Sequence, residues 1–317
     1  MNQSVLHPAG PLAERILGLW DLMYWVCVAV FVLVVLALLA AVLRRRPKIE
    51  DEEDLPGPPE SYRRLVTVIG AATAVTVVLL FVLLTASVAT GRATASLPGD
   101  PLVLEVTGKQ WWWQVEYEHS IPSEAITTAN EIHIPVGRPV KIELLSTDVI
   151  HSFWVPALHG KRDLIPGRPN VTWIQADRPG VYRGQCAEFC GFQHAHMGLL
   201  VIAEPPERFR SWAEAQRQSS VPPRTPLQAR GKQLVERLPC ANCHTIRGTQ
   251  ASGKLGPDLT HVASRRTLAA GTMPNTRGHL GGWILDPQSV KPGNLMPPTA
   301  MSSEEMHAVL AYLEILE

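Results

Sequence analysis

Residues 186–197 read Cys186-Ala-Glu-Phe-Cys190-Gly-Phe-Gln-His194-Ala-His-Met197, and the interpretation of the whole chain starts from this stretch. Its soft donors, two cysteines, a histidine and a methionine, follow one another at spacings of four, four and three residues. A further histidine, His151, lies upstream in the sequence His151-Ser-Phe-Trp, just after a predicted strand. Two thiolates, two imidazoles and a thioether make a ligand set that suits copper.

The second cysteine is more than a single copper needs, because a mononuclear blue-copper site uses one cysteine, two histidines and a weak methionine. Two thiolates can bridge two coppers, and each copper then keeps one histidine and one weak ligand. The weak ligands would be the Met197 sulfur and the backbone carbonyl of Glu188. A disulfide between the cysteines would leave the other donors unexplained, and zinc would take four ligands at one centre without methionine. The sequence therefore favours a two-copper site.

The residues around this loop have the pattern of a small β-domain. The segment LVLEVTGKQWWWQVEY at 102–117 alternates in part between apolar and polar residues and is rich in valine and tryptophan. Shorter segments of the same kind, such as EIHIPV and GLLVIAE, follow between proline and glycine turns. Several short strands separated by turns predict an all-β sandwich or barrel. We expect His119, His133 and His159 at its surface.

The N-terminal part of the chain predicts two transmembrane helices. Residues 22–43 and 65–91 contain no charged side chain, and each stretch can cross a hydrocarbon core of about 30 Å. Six Lys or Arg residues lie between 44 and 64, whereas the first 21 residues contain only Arg15. The positive-inside rule therefore puts the loop on the cytoplasmic side and both termini on the outer face. Glu60, just before the second stretch, is a candidate group for proton uptake by a partner subunit.

A second motif, Cys240-Ala-Asn-Cys243-His244, has the pattern of c-type haem attachment. In this pattern the two cysteines add across the haem vinyl groups and the histidine ligates the iron. A bare CxxC would also fit a redox pair or a zinc knuckle. The adjacent histidine and the lack of a second CxxC in the sequence favour haem.

The sixth iron ligand is expected to be a methionine, which raises the haem potential relative to a second histidine. The candidates are Met273, Met296, Met301 and Met306. Met306 belongs to the apolar face of a terminal helix, which the capping box Ser302-Ser-Glu-Glu305 opens. Met296 precedes two prolines in an extended loop, and we predict that it is the ligand.

Composition excludes some classes of function. The 29 basic and 29 acidic residues give a formal net charge of zero, which argues against nucleic-acid binding. Hydrophobic residues make up 46% and charged residues 18% of the chain, which is a low charge content for a purely soluble protein. Cys27 lies inside the first apolar stretch and is expected to face lipid or a neighbouring helix.

These motifs together resemble subunit II of the haem-copper cytochrome c oxidases. The resemblance covers residues 1–205 and includes the two apolar stretches, the run Gly108-Lys-Gln-Trp-Trp-Trp, the sequence His151-Ser-Phe-Trp-Val-Pro, Lys161-Arg-Asp-Leu-Ile-Pro-Gly-Arg168 and the cysteine loop. It implies a cupredoxin domain with the binuclear centre called CuA. The implied ligands are His151, Cys186, Glu188 (through its carbonyl), Cys190, His194 and Met197.

The resemblance also implies roles beyond the copper ligands. The side chain of Glu188 would approach a magnesium shared with subunit I, and electrons would reach the copper near Trp111. The family usually has Tyr where this chain has Trp112, and Ala187 and Phe189 differ from the commoner loop residues. None of these differences removes a donor atom.

The expected architecture is a multi-domain membrane protein with a two-helix transmembrane hairpin, an all-β cupredoxin domain and an all-α class I cytochrome c domain. The predicted segments are an extramembrane N-terminus at 1–21, transmembrane helices at 22–43 and 65–91, a cytoplasmic loop at 44–64, a cupredoxin domain at 92–205, a linker at 206–226 and a cytochrome c domain at 227–317.

This order of modules is that of the fused subunit II of caa3-type oxidases. The resemblance implies that electrons pass from a cytochrome c or a bc1 complex through covalent haem c to CuA, and on to subunit I. Subunit I would reduce oxygen to water with proton pumping, and subunit III and membrane lipid are further expected partners. The implied location is the bacterial inner membrane, with both termini and both metal-binding domains on the periplasmic face.

Three alternatives to the oxidase remain. A nitric oxide reductase of the haem-copper superfamily could use the same two-carrier module, and the catalytic subunit would decide between the two. A copper nitrite reductase would need a second cupredoxin unit and a three-histidine copper, and the sequence has neither. A membrane-held copper-binding or assembly protein would have no use for a covalent haem.

Overall fold

The computed structural model of the protein describes residues 2–44, 59–118, 121 and 124–317. The side chain of Glu60 and the whole of His119 lie outside these described residues. The chain divides into two compact units. One unit is Arg15–Ser96, and the other combines Met1–Glu14 with Leu97–Glu317.

The unit Arg15–Ser96 contains α2 (Pro59–Ala95) and all but the first four residues of α1 (Pro11–Leu43). Both begin at a proline, whose fixed φ suits the first turn of a helix. Both are long and apolar enough to cross a membrane, and large apolar side chains such as Phe31 and Phe81 are exposed. Helices that are apolar on all sides are stable in lipid, so the chain is anchored in a membrane. The helices extend beyond the uncharged stretches, and α1 starts within the segment predicted as an extramembrane N-terminus.

Ten strands in the described part of the second unit form two five-stranded sheets. They are β1 (Leu102–Lys109), β2 (Trp112–Tyr117), β3 (Ile126–Ala129), β4 (Glu131–Pro135), β5 (Val140–Ser146), β6 (His151–Trp154), β7 (Arg162–Leu164), β8 (Asn170–Ile174), β9 (Gly180–Cys186) and β10 (Gly198–Glu204). One sheet has the order β3-β2-β1-β5-β8 and the other β4-β10-β9-β6-β7. Side chains such as Trp113, Ile142 and Phe153 are fully buried between the sheets. The predicted all-β sandwich is confirmed.

The N-terminal residues pack on this β-domain. Asn2 forms a bridge with Tyr182 of β9. The Ala9 N–H donates to the Ala157 carbonyl at 2.7 Å, and the Ala9 carbonyl accepts from the Asp177 N–H at 2.9 Å. Ala9 itself belongs to the buried core of the β-domain. The start of the chain and the β-domain are therefore parts of one folded body.

The first part of the segment predicted as a linker, residues 206–226, is helical. A helix, α3 (Pro206–Arg217), follows β10 directly, and its Phe209 and Trp212 pack against the β-domain core. The Trp212 ring stacks on His133, with ring centroids 4.2 Å apart. The extended part of the predicted linker is therefore limited to residues 218–225.

Two histidines that were expected at the surface are wholly or partly buried. His159 is 2% exposed, accepts a hydrogen bond from the Val155 N–H at 3.2 Å, and stacks on Phe153. Burial lowers the pKa of His159 to about 3, so the ring is neutral. His133 is half-buried and its Nδ1 lies 2.9 Å from the Glu204 carboxylate. Both side chains are structural parts of the β-domain, and a sequence pattern gives no sign of such packing.

The C-terminal domain is helical, with one short strand pair in its described residues. Its elements are α4 (Pro226–Arg237), α5 (Cys240–Cys243), β11 (Thr267–Leu268), β12 (Met273–Pro274), α6 (Arg277–Leu285), α7 (Pro287–Val290) and α8 (Ser303–Leu313). Capping boxes open both α4 and α8, and that of α8 is the predicted pair Ser302 and Glu305. The two helices cross closely at Gly231, where a Cβ would lie 1.9 Å from the Ala308 carbonyl oxygen. The predicted helical cytochrome fold is confirmed.

Candidate copper and haem sites

Residues 186–197, here called the copper loop, connect two neighbouring strands of one sheet. β9 ends at Cys186 and β10 begins at Gly198, and these antiparallel strands bring both ends of the loop together. The Cys186 N–H donates to the Met197 carbonyl at 2.9 Å and closes the base of the loop. His151 is the first residue of β6, which pairs with the other side of β9. Strand pairing therefore brings His151 to the loop from a distant point in the sequence.

The donor atoms form two groups, one around each cysteine. In the first group the Cys186 Sγ lies 3.9 Å from the His151 Nδ1. The same sulfur lies 3.1 Å from the backbone carbonyl oxygen of Glu188. Cys186 and His151 are both almost fully buried, at 2% and 0% exposed. One thiol, one imidazole and one weak oxygen donor thus face a common point.

The second group has the same composition, with sulfur in place of the carbonyl oxygen. The Cys190 Sγ lies 3.6 Å from the His194 Nδ1 and 3.8 Å from the Met197 Sδ. The donor atoms of Cys190, Cys186 and His151 all lie within 4.8 Å of one another, so the two groups adjoin. The structure therefore brings all six predicted ligand residues together, each thiol beside one imidazole and one weak donor.

The His151 ring is held by residues that sequence analysis did not single out. Its Nε2 lies 2.8 Å from the Asp148 Oδ1, which leaves Nδ1 to face Cys186. Burial opposes protonation of His151, but the hydrogen bonds to Asp148 and Cys186 outweigh it and raise its pKa. Gly108 makes room for the ring, because a Cβ there would lie 2.7 Å from the His151 Cδ2. Such outer partners orient metal ligands, and Asp148 has no spacing signal that would have revealed it.

The two thiols influence each other's ionisation. The hydrogen bond with Cys190 lowers the pKa of Cys186 to about 4, against the opposing effect of burial. The same hydrogen bond raises the pKa of Cys190. One sulfur thus reaches the thiolate form easily, and metal binding would require the release of the remaining proton.

This donor set fits two coppers better than the alternatives. Every cysteine in the described residues is free, so Cys186 and Cys190 do not form a disulfide. A structural zinc centre would gather four strong donors at one point, whereas here each thiol has its own imidazole and its own weak donor. Thiolate, imidazole and thioether together are the soft donors that copper prefers.

The three consecutive tryptophans have three different environments. Trp113 is fully buried in the core. The Lys109 Nζ lies over the Trp112 ring, 5.0 Å from the ring centroid. Trp111 is the one that contacts the copper loop, because its Nε1 donates to the Cys190 carbonyl at 2.8 Å. The Gln110 Nε2 donates to the same carbonyl at 2.7 Å. Trp111 is only 7% exposed, so an external protein would not reach its ring in this arrangement.

The Glu188 side chain points away from the thiols. Its carboxylate lies 3.6 Å from the Lys161 Nζ, which is also 3.7 Å from the Asp163 carboxylate. All three side chains are substantially exposed.

The haem-attachment motif occupies one helical turn followed by an extended residue. Cys240 and Cys243 lie on α5, and both are half-buried free thiols. The His244 Nδ1 lies 2.7 Å from the Pro257 carbonyl, which leaves Nε2 available for iron. Burial lowers the pKa of His244, so the imidazole is neutral, as an iron ligand must be. Gly256 lies against the ring, because a Cβ there would be 2.5 Å from the His244 Cε1. These residues fit a covalently bound haem.

Met296 lies in an ordered loop after α7. Its N–H donates to the Asn294 Oδ1 at 2.8 Å, and its carbonyl accepts from the Gln288 Nε2 at 3.0 Å. The Met296 side chain packs against the core of the C-terminal domain but is partly exposed. Met306, in contrast, is buried on the inner face of α8. Met306 thus belongs to the helix core, and Met296 as the sixth ligand stays a prediction.

Two parts of the chain match known protein families. Residues 120–204 match the family described as "Cytochrome C oxidase subunit II, periplasmic domain", and residues 228–317 match the family described as "Cytochrome c". The two matches correspond to the sandwich with its copper loop and to the helical domain with its CxxCH motif.

Individual relatives named as cytochrome c oxidase subunit 2 align with most or all of this chain. Cytochrome c oxidase subunit 2 of Alkalihalophilus pseudofirmus is 35% identical over 325 aligned residues, which cover 100% of this chain and 91% of that protein. Cytochrome c oxidase subunit 2 of Bacillus sp. (strain PS3) is 30% identical over an alignment that covers 86% of this chain and 80% of that protein. The crystal structure of the periplasmic domain of subunit II of cytochrome oxidase of Bradyrhizobium japonicum is 32% identical, with a TM-score of 0.36, over 38% of this chain and 97% of that chain.

Proposed function

Because the chain belongs to the cytochrome c oxidase subunit 2 family, we propose that it is the electron-input subunit of a caa3-type oxidase. The main support is that one compact unit of the chain contains both the copper-loop donors and the Cys240-Cys243-His244 motif. The chain is thus a subunit of an enzyme. Its predicted spans contain no histidine, so the oxygen-reducing centre belongs to a partner subunit.

Each metal centre is proposed to be held by residues described above. The copper ligands are His151, Cys186, Glu188 (through its carbonyl), Cys190, His194 and Met197, and the haem ligands and attachment points are Cys240, Cys243, His244 and Met296. When bound, the two coppers and the haem supply one-electron carriers. The protein's contribution is to fix the donors, keep His151 oriented through Asp148, and bury the thiols. The Glu188 carboxylate is proposed to reach a magnesium shared with subunit I.

Electrons are proposed to arrive at the cytochrome domain from a cytochrome c or a bc1 complex. They would cross to the copper domain near Trp111, whose ring donates a hydrogen bond to the copper loop, and continue to subunit I. Subunit I would reduce oxygen to water with proton pumping, and subunit III and lipid would complete the surroundings. The names of the relatives favour this function over nitric oxide reduction.

The metal-binding domains are proposed to lie on the periplasmic face of a bacterial inner membrane. The basic residues between the two helices support this orientation, because such residues favour the cytoplasmic side. The packing of Asn2 and Ala9 on the β-domain is a second support, since it puts the start of the chain on the same side as the copper loop.

The test uses the oxidase purified with this chain and its partner subunits. Rapid mixing with reduced cytochrome c should reduce the cytochrome domain first and the copper afterwards, with oxygen consumption. His244→Ala should lose most of this oxygen consumption, whereas His279→Ala, at an exposed histidine of the same domain, should keep it. Reduction of the copper first, or full consumption by His244→Ala, would contradict the proposal. Consumption of nitric oxide but not oxygen would favour the reductase.

A further inference from the structure

Lys291 is a buried lysine at the contact between the two metal-binding domains. It lies directly after α7 in the C-terminal domain and is 3% exposed. Its Nζ donates to the carbonyls of Trp111 at 2.7 Å and His196 at 2.9 Å, both in the β-domain. A third bond, at 3.2 Å, goes to the Ala269 carbonyl of its own domain. A single side chain thus joins the two domains through the main-chain oxygens of Trp111, whose ring hydrogen-bonds to the copper loop, and of His196, which precedes Met197.

The surroundings of this side chain match an ammonium group. Burial lowers the pKa of Lys291 to about 7, which favours the neutral amine. The three carbonyl oxygens favour the protonated form instead. An ammonium can donate one N–H to each of the three oxygens, whereas a neutral amine would direct its lone pair at one of them. A side chain that donates to three carbonyl oxygens has the geometry of a protonated, cationic lysine.

A buried acid makes the reciprocal contact at another point of the same interface. Glu131, at the start of β4, is 3% exposed. Its Oε1 accepts from the Arg266 N–H at 2.8 Å, the Thr267 N–H at 2.9 Å and the Thr267 hydroxyl at 3.1 Å. The β-domain therefore contributes a carboxylate that holds the cytochrome backbone, while the cytochrome domain contributes a lysine that holds the β-domain backbone.

The residues after Lys291 continue this contact towards Met296. The Gln193 Nε2, in the copper loop, donates to the Pro292 carbonyl at 2.9 Å. At Gly293 a Cβ would lie 3.7 Å from the Cη2 atom of Trp111, so the chain passes in contact with the outer edge of that ring. We call residues 291–294 the docking segment. It contacts Trp111 and the copper loop at one end and leads to the predicted iron ligand at the other.

We propose that Lys291 is a positioning residue that, together with Glu131, fixes the cytochrome domain in one docked position on the copper loop. The proposal rests on the function proposed above and deepens it. In a fixed arrangement, electrons cross between the domains without a diffusional docking step. The docking segment also covers Trp111, so a soluble donor has to meet the cytochrome domain instead.

Hydrogen exchange in the full chain, loaded with copper and haem, tests the docked position directly. The Gly198 N–H donates to the Ala270 carbonyl at 2.9 Å across the interface, and the amides of Arg266 and Thr267 are bound by Glu131. In Lys291→Met these amides should exchange about tenfold faster or more, the size expected when bonds to a charged group are lost. The matched control is Lys232→Met, at a lysine on the outer side of α4, which should leave them unchanged.

The second variant, Glu131→Ala, removes the other anchor without touching the copper loop. It should accelerate exchange at Gly198 as well, because loss of either anchor loosens the same interface. Amides inside α4 and α8 should keep their protection in both variants, which separates undocking from unfolding. Unchanged exchange at Gly198 in either variant, with metal content intact, would overturn the proposal. If Lys291→Met fails to bind copper, Glu131→Ala decides by the same criterion.

The rate of electron transfer between the domains gives a second readout. After photoreduction of the haem, the wild-type transfer rate should not depend on solvent viscosity. In Lys291→Met the rate should fall about tenfold and become viscosity-dependent, because the domains must re-dock before each transfer. A variant rate equal to that of the wild type would refute the positioning role alone. Absence of any transfer in the wild type would refute the proposed function instead.

Discussion

The copper loop and the haem-binding region hold their ligands in different ways. At the copper loop, His151, Cys186, Cys190 and Met197 are each at most 2% exposed, and the donors come from two separate strands, β6 and β9, and from the loop after β9. In the cytochrome domain the attachment residues lie together on one helical turn, and they are half-buried, as is Met296. The copper ligands therefore depend on the completed sandwich, whereas the haem attachment depends on a local motif. This difference predicts that each site can be damaged while the other survives.

The largest effect is expected from Cys243→Ala. It should abolish the normal two-bond attachment of haem, because only Cys240 remains as an attachment point. The copper signal should be unchanged, since no donor of the copper loop is touched. Haem-stained gels and copper analysis measure both outcomes, with Cys27→Ala as the control for loss of a free thiol. Loss of copper together with haem would show that the two sites are not separable.

Gly231→Ala should destabilise the cytochrome domain by about 2–3 kcal/mol through overpacking. The added Cβ would lie 1.9 Å from the Ala308 carbonyl oxygen, at the crossing of α4 and α8. Denaturant unfolding monitored at the haem should show the loss, while the copper signal should keep its midpoint. Gly278→Ala is the matched control, since nothing lies within 4 Å of its added Cβ. Equal midpoints for the two variants would mean that the α4–α8 contact is looser than described.

Asp148→Asn should weaken copper binding about 10- to 100-fold, the usual effect of removing an outer partner of a metal-bound histidine. The carboxylate holds the His151 Nε2 at 2.8 Å, and an amide would hold the ring less firmly and remove a negative charge. Competition with a copper chelator measures the affinity. Asp100→Asn, at a fully exposed carboxylate, should bind copper like the wild type. Wild-type copper affinity in Asp148→Asn would show that the Asp148 carboxylate does not support the His151 ring.

The smallest effect on stability is expected from Met197→Leu. The side chains have similar volumes, so the change in unfolding free energy should stay below about 1.5 kcal/mol. The copper potential should nevertheless shift, because the Met197 Sδ faces the Cys190 Sγ as a weak donor. Redox titration checks the shift, with Met301→Leu as the control in the other domain. An unchanged copper potential would show that Met197 contributes only to packing. Loss of haem would contradict the separation of the two sites.

Local patterns in the sequence indicated most of the residues that the proposed metal sites use. The spacing of Cys186, Cys190, His194 and Met197 and the CxxCH motif each lie within a dozen residues, so they can be recognised before the fold is known. The helices and the sandwich also followed from apolar stretches and strand patterns, as did the capping box at Ser302. The packing of α3 on the β-domain was not predicted, because this polar helix makes the contact through only a few apolar side chains.

Contacts between distant residues could not be predicted in this way. Asp148 supports His151 through the geometry of a turn, which no spacing encodes. Glu131 binds the N–H of Arg266 and Lys291 binds the carbonyl of Trp111, and each pair is separated by more than a hundred residues. A charged residue in a sequence is expected at the surface, so their burial becomes apparent only in the folded chain.

The most direct test of the central claim is the EPR spectrum of the full chain, oxidised and loaded with copper in detergent. We expect hyperfine structure shared over two equivalent copper nuclei, because the two thiols lie close enough to each other to bridge two coppers. A single-copper signal after verified haem attachment would contradict the account. The two cysteines would then not bridge two metals, and the assignment of the copper loop as a CuA centre would have to be withdrawn.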